Sequence, residues 1–158
     1  MLSRLPSVFG RQRHDRPQNR SCPVIREDRA HERVVATGSF DVKLTPVSAP
    51  DAPVGAMAIS KTFHGDLDGT SMGQMLAIRT PVEGSAGYVA MERVTAALAG
   101  HEGSFALQHS GSMDKGAQSL LVTVVPDSGT GGFAGLAGSM DIKIEGGRHF
   151  YTFRYSLP

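Results

Sequence analysis

The stretch Thr123–Gly138 reads TVVPDSGTGGFAGLAG. A β-rich run, Leu120 to Val125, meets Pro126, which cannot donate to a strand ladder and so favours the end of the strand. Asp127, Ser128 and Gly129 supply turn chemistry. Phe133, Gly135, Leu136 and Gly138 follow, and a second strand runs through Ile142 and Ile144. The pattern predicts a hairpin whose return strand begins with glycines, at positions such as Gly131 and Gly135 where bulges and sheet curvature are expected. A closed or strongly curled antiparallel sheet is the architecture that needs such a feature.

Working outward, the other strands show the same two-residue period. Phe40, Val42 and Leu44 alternate with Asp41 and Lys43. Met57, Ile59, Lys61 and Phe63 share a face, as do Met72, Leu76 and Ile78, with Gly73 on the opposite side. A fourth strand over 85–95 contains Tyr88, Val89, Met91 and Val94, and a fifth over 104–109 places Phe105, Leu107 and His109 together. A sixth runs over 117–125, a seventh over 133–145, and an eighth over 148–155 with Tyr151, Phe153 and Tyr155 on one face. Turns are expected at 65–69, 81–84, 100–103, 110–116 and 146–147, and a Pro-rich loop over 46–53. The segment AMERVTAALA has helical propensity, but it is short and bracketed by Gly87 and Gly100. Eight strands spaced by roughly ten to twelve residues predict an all-β, eight-stranded antiparallel barrel or sandwich. At eight strands a closed interior is filled by side chains or holds one small ligand.

The length of 158 residues fits one domain, and 40% hydrophobic residues suffice for a core. Charge is unevenly placed. Residues 1–33 hold eight Arg against four acids, a net of +4, whereas the remaining 125 residues hold eight Lys/Arg against eleven acids, a net of −3. The first 33 residues lack hydrophobic periodicity and are expected to be a disordered basic tail, with the barrel domain spanning 34–158. The Arg-rich, acid-poor start also suits a transit peptide or an over-extended start. It lacks the apolar centre of a signal peptide, so a cytoplasmic location is expected. Cys22 is the single cysteine, which excludes an intramolecular disulfide. No apolar run reaches the length of a membrane span.

From Ala36 onward the chain resembles a bacterial family of unknown function with an allene-oxide-cyclase-like barrel. The resemblance rests on FHGDLDG (63–69), SAGYVAMERV (85–94), GSFALQHSG (103–111), VVPDSGTGGFAGLAG (124–138) and YTFRY (151–155). The run over 129–138 is also similar to one in allene oxide cyclases and plant dirigent proteins, a likeness of fold and not of chemistry. The chain has no tryptophan and departs from the family's pattern beside Val122. The resemblance implies a barrel and brings no catalytic residues with it.

Candidate chemistry therefore comes from the residues themselves. His109 shares a face with Phe105 and Leu107, and an imidazole among apolar walls can exchange a proton near neutral pH; a hydrogen-bonded structural histidine is the plainer reading. Glu92 shares a face with Tyr88 and Ala90. If that face is internal, a carboxylate stands inside the barrel; if Val89 and Met91 point in, Glu92 is solvated. Lys61 is an internal partner, or its position reflects a bulge or a snorkelling stem. His64, His101, Asp66 and Asp68 match no strong metal motif, and no metal is expected. The glycines at 129, 131 and 132 are either an anion nest or turn residues. Phosphate-loop, zinc-protease and serine-hydrolase motifs are lacking.

The expected function is binding of a small apolar or amphipathic molecule, with Tyr88, Phe105, Leu107, Tyr151, Phe153 and Tyr155 lining the site. The alternative is a cofactor-free isomerase or cyclase using Glu92, His109 or both for charge stabilisation or proton transfer. A packed barrel acting through its surface is the third reading. No cofactor, nucleic acid or membrane is expected as a partner, and the sequence leaves assembly into a homo-oligomer open. On strand parity His109 and Tyr155 should lie near one end of a shared cavity, with Glu92 on its wall.

Overall fold

The computed structural model describes residues 33–158, and the tail expected over 1–33 lies, but for Arg33, outside them. Alternating side chains and tight turns produce nine strands: β1 (Val34–Pro46), β2 (Gly55–Gly65), β3 (Leu67–Arg79), β4 (Ala86–Leu98), β5 (His101–Asp114), β6 (Ala117–Val124), β7 (Thr130–Gly131), β8 (Ala137–Glu145) and β9 (Arg148–Ser156). The described residues contain no helix, and so none that could cross a membrane as one. Apart from the two-residue β7, the strands form one antiparallel ring in the order β4-β3-β2-β1-β9-β8-β6-β5, closed by the β4–β5 pairing. The described residues form an eight-stranded up-and-down barrel. The helical propensity of 90–99 is overridden, because both edges of β4 are paired along its length.

Several turns are tighter than the sequence suggests. β5 starts at His101 and runs to Asp114, so the bends expected at 100–103 and 110–116 shrink to Ala99–Gly100 and Lys115–Gly116. Both residues of each pair have positive φ, the backbone of a two-residue hairpin whose twist matches the strands it joins. Likewise β3 begins at Leu67, which is fully buried.

The stretch 123–138 is not a simple hairpin. β6 ends at Val124, the chain leaves the wall, and Thr130–Gly131 pairs with Gly103 and Ser104 at the start of β5. Turn bonds from Phe133 N–H to Thr130 O and from Leu136 N–H to Phe133 O hold the next residues in a compact loop. That loop drives the fully buried Phe133 ring edge-on against Phe105, with centroids 5.3 Å apart. The return strand therefore begins at Ala137 and not at Phe133. The glycines do adopt the backbone expected of them: φ is 59° at Gly131 and 77° at Gly135.

This loop makes the two ends of the barrel unlike. At the end where β1, β3 and β5 begin, Phe63, Leu67, Leu98, Phe105, Phe133 and Phe153 fill the interior. Tyr151 locks the same region: its hydroxyl accepts from Leu67 N–H at 2.9 Å. The opposite end has no plug. β6 meets β8 through a single registered pair, Thr123 with Ser139 near the plugged end, so toward the open end the wall is split over 117–122 and 140–145.

The shared apolar face of β3 is the outer one. Met72 is 74% exposed, and Leu76 and Ile78 are about half exposed. Leu67, Ser71, Gly73, Met75 and Ala77 point inward instead. The parity of β4 follows: Val89 and Met91 are exposed, whereas Ala90, Glu92 and Val94 are buried.

Candidate functional site

Four polar side chains meet in the middle of the barrel. Lys61 on β2, Ser71 on β3, Glu92 on β4 and His109 on β5 are all buried. Register brings them together. Lys61 pairs with Ser71, Ser71 with Val94, and His109 with Ala90, the inward neighbour of Glu92. Glu92 Oε1 accepts from Lys61 Nζ at 2.6 Å and lies 2.7 Å from His109 Nε2. Its Oε2 accepts from Ser71 Oγ at 2.7 Å. Because an ionised carboxylate only accepts, Nε2 of His109 carries the hydrogen, and in the neutral ring the lone pair sits on Nδ1. The Lys61 ammonium also lies 4.8 Å above the Phe40 ring, against which His149 stacks with centroids 5.0 Å apart.

Glycine permits this convergence. Gly73 is the residue of β3 paired with Glu92, and a Cβ there would come within 2.7 Å of Glu92 Cβ and 2.6 Å of its Cα. Without a side chain at Gly73, the carboxylate can lean across β3 toward Lys61, two strands away.

Burial by itself pushes the Glu92 carboxyl up. The hydrogen bond from His109, the Lys61 charge and its hydrogen bond, and the Ser71 hydroxyl outweigh burial and hold it at about 2. The group is thus a fixed anion at neutral pH. Tyr88, one inward position before Ala90 on β4, is pushed up first by burial and then by the Glu92 charge. It remains a neutral phenol.

Beyond this polar layer, at the unplugged end, lies a cavity of about 340 Å³. Its walls include Met75, Ala77, Tyr88, Met113, Leu120 and Ile144, with Arg79 at the rim. Leu120 and Ile144 belong to β6 and β8, on either side of the split wall. The polar cluster lies outside this lining, and Tyr88 stands on the inward face between cavity and cluster.

Of the residues expected to touch a ligand, Tyr88 lines this cavity. Phe105, Leu107, Tyr151, Phe153 and Tyr155 do not; they belong to the packed core, where Phe153 stacks on both Phe105 and Tyr155. His109 and Tyr155 do not stand together at one end of the barrel. Tyr155 pairs with Val34 and Gly138 at the plugged end, whereas His109 is in the middle. The parity of β9 is as expected, but parity alone does not say which end is filled. Glu92 and His109 do come together, in direct contact.

The other candidates have local roles. His64 pairs with Asp41 at 3.0 Å on the surface, and Asp66 accepts from Thr37 N–H at 2.7 Å. Among the described residues no group of three His, Cys, Asp or Glu side chains is placed to hold a metal. Gly132 N–H donates to Glu102 O at 2.7 Å, so the glycine run spends this donor on the plug. Sequence reasoning missed Ser71, Gly73 and the cavity walls Met75, Met113, Leu120 and Ile144. The parity of Leu67 was the available signal for Ser71, Gly73 and Met75.

Residues 36–155 match the model of a family described as a protein of unknown function, DUF3224. The chain belongs to the DUF3224 family. A crystal structure of a DUF3224 protein of unknown function from Shewanella oneidensis MR-1 is similar to it, with 49% identity and a TM-score of 0.76 over 80% of this chain and 99% of that one. No curated protein matches the chain. Membership in DUF3224 carries the fold across the barrel and leaves the function to be argued from this chain's own geometry.

Proposed function

We propose that the protein binds a small amphipathic molecule in the open end of its barrel. The observation that carries this reading is the cavity of about 340 Å³ with Met75, Met113, Leu120 and Ile144 on its walls. Its size falls at the lower end of small-molecule sites, which are concave, mainly apolar and supplied with a few polar groups. The unpaired seam between β6 and β8 supports a way in at this end, since Leu120 and Ile144 on its two sides line the cavity. The buried cluster beneath supports a rigid floor, since its carboxylate is bonded on both oxygens.

The test is titration with a neutral, environment-sensitive dye such as Nile red. Binding should saturate at one site and disappear in Ala77→Trp, whose indole fills the cavity, while the melting temperature stays within a few degrees. Equal binding to Ala77→Trp would defeat the proposal.

A second reading, cofactor-free proton transfer, draws on the Glu92–His109 contact. Glu92 is a poor base at neutral pH because its carboxyl is held at about 2. In such a reaction His109 would move the proton and Glu92 would orient the ring, as a buried carboxylate orients the imidazole in hydrolase triads. Chemical conversion of a co-purified ligand by the wild type, lost in His109→Gln with binding retained, would favour this reading. Conversion unchanged in that variant would remove it.

A further inference from the structure

We propose that the cavity selects an amphiphile carrying a single carboxylate, with Arg79 receiving the carboxylate at the mouth and the aliphatic part directed inward. The proposal rests on the reading of the open end as a binding site and adds the chemical class of its occupant.

Arg79 is the one charged residue on the cavity wall. None of the five ion pairs among the described residues includes it, and none of the side-chain bonds to a carboxylate does either. It pairs with Ala86, one inward step beyond the Ala77–Tyr88 pair. The guanidinium thus stands at the rim with the apolar walls below it. A planar guanidinium presents a fork of donors that matches a carboxylate.

The cavity contains no acid to compete for Arg79 and no second cation to balance a dianion. Lys61, the buried lysine of the polar layer, is already committed to Glu92. A single negative charge is therefore what the site complements. Below the rim, Met75 and Met113 supply flexible thioether walls that follow an aliphatic chain, whereas a rigid polar ligand would leave its groups unpaired there.

The experiment is isothermal titration calorimetry of the full chain with decanoate, decanol and decylammonium, repeated on Arg79→Gln. Decanoate should bind at least about tenfold more tightly than the other two at low salt, the ratio expected of one charge-assisted contact. Arg79→Gln should bring decanoate to the level of decanol, and added salt should weaken decanoate alone. Equal binding of decanoate and decanol would overturn the head-group assignment and leave the cavity reading standing. A preference for decanoate that survives Arg79→Gln would also overturn it, by placing the anion elsewhere. Binding of none of the three would overturn both the assignment and the cavity reading.

Discussion

Lys61 and Glu92 bond at 2.6 Å inside the barrel although their strands are not neighbours. β3 runs between them and presents Gly73 and Ser71 at the crossing. One residue yields space and the other supplies a hydroxyl to the second carboxylate oxygen. A buried ion pair arranged this way tolerates the loss of both charges far better than the loss of one, because a lone buried charge stays unsolvated.

Glu92→Gln should therefore destabilise the fold by about 3–5 kcal/mol, read from urea denaturation midpoints at a common slope. Lys61→Met added to Glu92→Gln should recover part of that loss. Strict additivity in the double-mutant cycle would show that the two side chains do not interact in solution.

Acid should act through the same carboxylate. Its folded pKa of about 2 is below the unfolded value, so Glu92 contributes stability that is fully present above about pH 4.5 and lost as pH falls toward 2. The stability difference between wild type and Glu92→Gln should be constant from pH 5 to 7 and shrink below that window. A difference that grew on acidification would have the wrong sign for a depressed carboxyl.

At Gly73 the obstacle is space. An added Cβ meets the backbone carbonyl of Met91 as well as Glu92, so strands β3 and β4 must part. Gly73→Val should cost on the order of 1–3 kcal/mol and shift the His109 ring resonances in an NMR spectrum. Unchanged resonances would mean that Glu92 does not depend on the gap.

Phe133 tests the plug. Phe133→Ala removes a fully buried ring that packs against Phe105 and should cost about 3–5 kcal/mol. Dye binding at the far end should keep its affinity at temperatures where the variant is folded. A large loss of affinity would show that the two ends are coupled.

The split wall predicts its own exchange pattern. Among the strand residues, amides of β6 and β8 that face each other across the opening lack strand partners on that side and should exchange early. Those between β3 and β4, paired along thirteen positions, should exchange last. Slow exchange across 117–122 would mean that the wall closes in solution.

Much of the barrel follows from sequence alone. Alternation in β1, β2, β5 and β9 assigns Phe40, Phe63, Phe105 and Tyr151 inward, since one face of each strand is plainly the more apolar. Strand count and turn chemistry then favour closure. In β3 and β4 both faces carry apolar residues, and Met72, Val89 and Met91 lie outside while Ser71 and Glu92 lie inside. Local hydrophobicity cannot settle such a strand. Its parity is decided by the register with its neighbours, a long-range property. The plug at Phe133, the unpaired stretch between β6 and β8, and the meeting of Lys61 with Glu92 across an intervening glycine all depend on which strands become adjacent after the ring closes. Tertiary structure alone decided these, because each is a relation between residues far apart in the chain.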